Sequence, residues 1–563
     1  MIAETLPDRI RISETQYEQR AEWGAIPAGR WNKRLLCWEY PRSPIAAGRI
    51  LKTAKRLNQP LLRDAGFQEL LEGLMHIRQA QDWKGPNAAK AVRAYATMKD
   101  IKPYHTITPP WLHQICASAF LRELEAAYLA MEMGTGKTLV AINEILETKA
   151  MRSLIVCPKS VIDVWEDEFE RHCATPPLLS ILTKGTARDK AAQMIRDCRL
   201  AEIEQRQVAV IINYDSVWRA PLGDEILNSE WDVVILDEAQ RIKTASAKAG
   251  KFAYKLRKVA KRRRCLSGTM LPNNRLDAFG QYRFLDPAAF GTNFTRFRAR
   301  YAIMGGFGDY EVKGWQNEDE YDRILDLFAY RVDKDVLDLP PETDVDRYCE
   351  IEGEAARVYA NLEDAFISDV KGGVVTAANA LTRLLRLQQI TSGFVTTEEG
   401  HEAGVGDHKV NLLQEVLGDI DPSETVVVFC RFRHDLSVVQ QVAARLGRTW
   451  GELSGSQDDL ERGRIPEGIQ VLGVQVQAGG LGVNLIAARY TILYSVGFSL
   501  AEYLQAKART HRGGQDRPVT YIRLIAKGTV DEKVYQALAD KREVVDAIME
   551  FIKRGESWIG KNG

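Results

Sequence analysis

"LAMEMGTGKT", residues 129–138, is an apolar, strand-like entry that runs into two glycines, a lysine and a threonine. Two readings are open, a loop that holds a nucleoside triphosphate or a flexible turn. A phosphate-binding loop needs backbone N–H groups aimed into one concavity, a glycine-permissive backbone, a lysine for the β- and γ-phosphates and a hydroxyl for Mg²⁺. Gly134, Gly136, Lys137 and Thr138 meet the last part of that demand. The general GxxxxGK[ST] pattern is incomplete, because Met131 stands where its first glycine would be. A second stretch, "VVILDEAQ" (233–240), places Asp237 100 residues beyond Lys137. Its four apolar residues deliver Asp237 to the C-terminal end of a strand, where a carboxylate can hold Mg²⁺ through water, while Glu238 can polarise an attacking water. An isolated Asp-Glu pair reads as charge at a helix N-terminus. With a strand before it and the lysine upstream, it reads as part of a nucleotide site.

The surroundings can house such a site. "SLIVCPKS" (153–160), "VAVIINY" (208–214), "WDVVILDEAQ" (231–240) and "RRCLSGT" (263–269) read as buried parallel strands with amphipathic stretches between them, one doubly wound α/β lobe. "TVVVFCRF" (425–432), "IQVLGVQV" (469–476), "YTILYSV" (490–496) and "VTYIRLI" (519–525) repeat the alternation and predict a second lobe. Residues 290–410 are mostly helical in pattern, with a loop-like "MGGFGDYEVKGW" at 304–315. A chain of 563 residues predicts two to four domains. Its 45% hydrophobic and 27% charged residues are those of a globular protein, and no apolar run reaches the ~18–20 residues that cross a bilayer. The N-terminus lacks the pattern of a secretory signal. Eight cysteines never fall in a CxxC pair, which argues against a zinc ribbon or a disulfide framework and for a reducing cytoplasm.

Net charge is zero, so nucleic-acid affinity must come from local patches. Between Pro27 and Arg56 eight basic residues face one acidic residue, Glu39, with Trp31, Trp38 and Tyr40 interleaved. Cations neutralise phosphates and aromatic faces stack on bases, but the same composition suits a solvated basic face over a small core. A second run, "KFAYKLRKVAKRRR" (251–264), reads either as a polar helix face in water or as a DNA contact.

From about residue 105 onward the motifs carry a family resemblance. "PPWLHQ" (109–114), "LAMEMGTGKT", "IVCPKSVIDVWEDEF" (155–169), "LDEAQRIK" (236–243) and "LSGTMLPNN" (266–274) resemble the adenine-recognition segment and motifs I, Ia, II and III of superfamily 2 helicase-type motors. "VVVFCRFRHDL" (426–436), "VQAGGLGVNL" (476–485) and "QAKARTHRGGQDRPV" (505–519) resemble motifs IV, V and VI. "DLPPE" (338–342) and "RLQQITSGF" (386–394) resemble stretches specific to the Swi/Snf double-stranded DNA translocases. The resemblance implies two RecA-like lobes in tandem, ATP as substrate and Mg²⁺ as cofactor. It implies a nucleotide cradle of Gln114, Met133, Gly134, Thr135, Gly136, Lys137, Thr138 and Gly482, with Thr138 and Asp237 toward the metal. Lys137, Asp237, Glu238, Arg509 and Arg512 are the implied catalytic set, and Lys159, Thr269 and Asn484 the implied backbone contacts. Arg509 and Arg512 are three apart, so on a helix they share one face and could reach a γ-phosphate. The chain departs from the family in Met131, in Ala508 and in Gly513 of "HRGGQ". "AIPAGRWNKRLLCWEYP" (25–41) is similar to the HARP-type module of annealing helicases, which implies DNA contacts by Arg30, Trp31, Lys33 and Trp38.

The expected organisation is an N-terminal DNA-recognition domain (1–104), lobe 1 (105–290), helical insertions and linker (291–405), lobe 2 (406–545) and a tail (546–563). The expected function is a monomeric, DNA-dependent ATPase that translocates on double-stranded DNA and remodels branched DNA or displaces bound proteins. Replication or recombination proteins are expected partners and no membrane is. A strand-separating helicase or restriction motor, and a scaffold with an inactive ATPase, stand as alternatives.

Overall fold

The computed structural model describes residues 1–84, 105–272, 274–305, 311–371, 377–396, 401–461, 463–476 and 483–540, in two compact units, Met1–Val336 and Leu337–Gly563. The first unit begins with a small mixed sheet of β1 (Ile2–Thr5), β2 (Arg9–Ser13), β3 (Arg30–Asn32), β4 (Cys37–Pro41) and β5 (Leu62–Arg63), ordered β3-β4-β2-β1-β5. Ile10 sits opposite Tyr40 and Ile12 opposite Trp38, and all four are buried, so the period-two alternation of these strands gives one inward face. The helix Pro44–Arg56 follows, started by Ser43, whose hydroxyl accepts from the Ile45 and Ala46 N–H groups. Ser43 Oγ also donates to Asp286 Oδ2 at 2.5 Å, and Arg49 donates to the Ala288 and Ala289 carbonyls. Burial lowers the Arg49 pKa. One of the eight cations of the basic stretch therefore docks this module onto the rest of the unit.

The main sheet of the unit is built from β6 (Ala126–Met131), β7 (Arg152–Cys157), β8 (Leu178–Ile181), β9 (Val208–Asn213), β10 (Trp231–Asp237) and β11 (Ala260–Leu266). A hairpin of β12 (Ala302–Gly305) and β13 (Glu311–Trp315) follows, and β14 (Ala329–Val332) returns to complete the order β14-β6-β11-β10-β7-β9-β8. Every pairing in this seven-stranded sheet is parallel. The hairpin corrects the loop-like reading of 304–315: Ile303 pairs with Gly314 and Ala302 with Trp315, so the glycine-rich composition conceals two short strands.

The run 251–264 bears out the polar helix face only over its first half, where Lys251 and Lys255 are exposed. It divides between the helix Lys248–Leu256 and β11, a central strand. Arg264 is 0% exposed and pairs with buried Glu144, while its other N–H groups reach the Leu121, Leu124 and Glu125 carbonyls at 2.8–3.1 Å. Arg263 donates to the Leu285 carbonyl, and burial pushes it down to about 10.

In the second unit β15 (Glu342–Cys349), β18 (Val426–Cys430), β19 (Trp450–Leu453), β20 (Val471–Gln475), β21 (Tyr490–Leu493) and β22 (Val519–Ala526) form a six-stranded parallel sheet, ordered β15-β22-β21-β18-β20-β19. A hairpin of β16 (Phe394–Thr396) and β17 (Glu402–Gly404) lies outside it. β18 buries both faces: Val426 and Val428 pack with Leu412, Val439 and Ile492, whereas Val427 and Phe429 pack with Leu472, Leu493 and Ile525. Helices on each side of a parallel sheet demand this continuous apolar run. The stretch expected to join the lobes (291–405) is divided, its residues through Val336 packing in the first unit and the remainder in the second. The two units are RecA-like lobes in tandem. None of the described helices is long and apolar enough to cross a membrane.

Candidate functional site

In the first unit the strand order β6-β11-β10 brings together the loops that follow three strands. Ligands of open α/β sheets bind outside the carboxyl ends of the strands, so this edge is where chemistry is expected. After β6 the chain turns through Gly134 and Gly136, both at φ +82°, and enters the helix Lys137–Glu147 with Gly136 at its N-cap. Left-handed backbone at both points is open to glycine and strained for other residues. A Cβ on Gly136 would also lie 2.1 Å from Gln114 Nε2.

Gln114 is 2% exposed, and both ends of its amide are used within the chain: Oε1 accepts from Trp111 N–H at 2.8 Å and Nε2 donates to the Thr135 carbonyl at 3.2 Å. His113 Nε2 donates to the same carbonyl at 2.8 Å, and burial lowers the His113 pKa. In a trans peptide the C=O and the following N–H point in opposite directions. Two donors on the Thr135 carbonyl therefore fix the Gly136 N–H facing away from Gln114. Lys137 Nζ folds back onto the Met131 and Glu132 carbonyls at 2.8 and 3.3 Å, and Thr135 Oγ1 donates to the Glu132 carbonyl. Met133 and Thr138 are half-buried, beside and just after the turn.

Asp237 ends β10 and is 7% exposed. Burial, and then the Glu238 charge, raises its carboxyl to about 6, opposed by the Trp165 indole N–H at 3.0 Å and the Lys137 charge. Glu238 sits at φ +50° and donates its backbone N–H to Asp237 Oδ1 at 2.9 Å. Its Oε2 accepts from Gln240 at 2.8 Å and from Ser267 Oγ at 3.4 Å. Ser267 follows β11, bonds the Leu129 carbonyl through its N–H and accepts from Thr269 N–H at 2.9 Å. It links the carboxylate after β10 to the strand that leads into the glycine turn. Trp165, Ser267 and Tyr214, whose hydroxyl donates to the Asp237 carbonyl, escaped the reading of the sequence although the first two lie inside quoted motifs.

The residues present fit a nucleotide with Mg²⁺. A cradle that a single Cβ would fill, a lysine at the helix start and a carboxyl raised by burial and by the neighbouring Glu238 charge form a matching donor set. Lys159 is exposed in the turn after β7, and Thr269 is half-buried beside Ser267.

In the second unit Arg509 lies in the last turn of the helix Leu500–Thr510 and is 5% exposed. Arg512 lies beyond that helix, so the expectation that the two arginines share one helical face is overturned. The cause is the "HRGGQ" turn, in which Gly514 adopts φ +99° and Gln515 Nε2 bonds the Thr510 and Ile486 carbonyls. Arg509 accepts through its carbonyl from Leu485 N–H at 3.1 Å, which ties motif VI to motif V. His511 Nε2 donates to the Pro340 carbonyl, and Lys507 pairs with Glu342 and Asp344. Asn484 Oδ1 accepts from Ile486 N–H. Gly482 lies outside the described residues.

In the N-terminal module Arg30 and Lys33 are exposed and Trp31 is half-buried. Trp38 is only 6% exposed, with its ring edge against Trp31 at 5.5 Å, so it belongs to the module's core and offers no free face for stacking.

Residues 113–393 match the SNF2-related domain and residues 408–514 the helicase conserved C-terminal domain. Among curated proteins, the human DNA repair and recombination protein RAD54B is 23% identical over 494 residues, 76% of this chain and 53% of that one. The chromodomain-helicase-DNA-binding protein 1-like of Danio rerio is 24% identical over 475 residues, 80% of this chain and 44% of that one. The chain spans about half the length of these curated relatives. The Sulfolobus solfataricus SWI2/SNF2 ATPase core in complex with dsDNA is 24% identical, with a TM-score of 0.38, over 82% of this chain and 97% of that one. Carrying both domains in order, this chain belongs to the SNF2-related family.

Proposed function

We propose that the chain is a DNA-dependent ATPase that translocates on double-stranded DNA and remodels branched DNA or displaces bound proteins. The observation that carries this is the link through Ser267 between Glu238 and β6, the strand that leads into the glycine turn, because it sets the carboxylates after β10 beside the loop offered for the phosphates. The cradle's N–H groups and Lys137 bind the phosphates of ATP, and Glu238 orients a water for attack on the γ-phosphorus. Mg²⁺ held toward Thr138 and Asp237 supplies charge neutralisation when bound. Arg509 and Arg512 stabilise the charge that develops in transfer. Lys159, Thr269 and Asn484 contact the phosphodiester backbone, and Arg30, Trp31 and Lys33 belong to a DNA-reading module.

The test is steady-state ATP hydrolysis at one salt concentration with no DNA, single-stranded DNA, blunt duplex and a forked junction. Stimulation by duplex, and more by the fork, is the expected result. Stimulation by single strands alone would transfer the assignment to a strand-separating helicase, and Lys137→Ala at full rate would remove the site.

A further inference from the structure

Within the first unit a groove of about 910 Å³ runs between the N-terminal module and the helix Phe294–Tyr301. Arg20, Arg30 and Trp31 line it from the module, and Asn293, Arg296 and Arg300 from the other side. Arg300 is paired with Glu320, whereas Arg20, Arg30 and Arg296 are exposed and have no carboxylate partner among the described residues. Arg20 lies over the Trp31 ring at 5.8 Å. The wall between them includes Ala28 at φ +64°, a left-handed conformation that a residue with a Cβ rarely adopts. Strain of that kind gathers where a ligand or a clamp dictates the backbone.

The geometry points to a binding site for a single, unpaired DNA strand in this groove, its phosphates on Arg30 and Arg296 and a base stacked against Trp31. Cations on two walls with an aromatic face between them suit a strand whose bases are free. A duplex keeps its base faces stacked inside and can offer this site only phosphates. The inference rests on the DNA-handling role proposed above and gives the module its ligand, the strand exposed at a branch.

The test uses the full chain without nucleotide and a fluorescein-labelled fifteen-residue oligo(dT), with a blunt duplex of equal length as comparison. Trp31→Ala is expected to weaken oligo(dT) binding about tenfold or more, and Trp31→Phe to retain most of it. Arg296→Ala is expected to reduce the slope of log affinity against log salt by about 0.7. Blunt-duplex affinity is expected to move less than about twofold in Trp31→Ala, because base stacking plays no part in it. Wild-type oligo(dT) affinity in both Trp31→Ala and Arg296→Ala overturns the inference. So does an equal loss on duplex in Trp31→Ala, or an oligo(dT) loss with Arg296→Ala alone, which would mark a phosphate surface without stacking. Thermal melting of each variant reports folding, and Trp31→Phe keeps the reading sound if Trp31→Ala melts early. Wild-type ATP hydrolysis on blunt duplex judges the motor separately, so stimulated hydrolysis with unaltered oligo(dT) binding condemns the groove alone.

Discussion

At Asp237 burial beside Glu238 raises the carboxyl from 3.8 to about 6, so the folded protein favours the protonated group. A carboxyl raised in the folded state contributes stability that is fully present below its unfolded value and lost as pH rises through the folded one. Asp237→Asn removes that dependence. The variant should match the wild type near pH 4 and be more stable by about 3 kcal/mol at pH 7.5, two pH units or so at about 1.4 kcal/mol each, as read by urea unfolding at both pH values. A flat difference across that range would show that the site does not store ionisation energy for a cation. At Gly136 the φ of +82° and the 2.1 Å approach of Gln114 act together. Gly136→Ala should weaken ATP binding about tenfold or more in equilibrium titration, since left-handed strain alone is about 1–2 kcal/mol. That Lys137, Asp237 and Glu238 come together was legible because a glycine turn and an apolar strand ending in two carboxylates are local patterns. The bonds of Ser267 to Glu238 and of Trp165 to Asp237 were not legible, because they depend on which strands become neighbours.

Among the elements, the strand β11 shows how far charge can mislead. Three consecutive arginines read as solvent or DNA contacts, yet the chain buries Arg264 completely against Glu144 of the helix that follows the glycine turn. That guanidinium also takes up carbonyls at the end of the helix Leu112–Arg122, on which Gln114 sits, so one side chain fixes the seats of both ends of the cradle. Removing one partner of such a pair leaves a buried charge without compensation. Arg264→Met should destabilise the protein by about 3–5 kcal/mol in urea unfolding, and the double change Arg264→Met with Glu144→Leu should recover a large part of it. The double variant remaining as unstable as the single one would show that the carbonyl contacts, and not the ion pair, hold the elements. The parallel strands themselves were legible from runs such as "VAVIIN", because a sheet covered on both faces leaves no polar alternation to blur them. The hairpin at 302–315 was missed because glycine composition outweighs strand propensity in so short a stretch.

For the whole molecule, the tandem lobes followed from two repeats of strand and helix, but the division of the expected linker at Val336 follows from packing that no local pattern encodes. The proposed role of Arg512 in transfer belongs at this scale. Arg512→Ala should lower kcat about 10³-fold while leaving ATP affinity within a few-fold, measured by steady-state hydrolysis and equilibrium binding. A parallel loss of affinity would place Arg512 in ground-state binding instead. One further consequence follows from Ser43 and Arg49, which bolt the N-terminal module onto the segment Asp286–Ala289. The module is thereby part of the first unit's frame and not a tethered attachment. Transplanting it to another protein would require carrying its socket, residues 286–301, along with it.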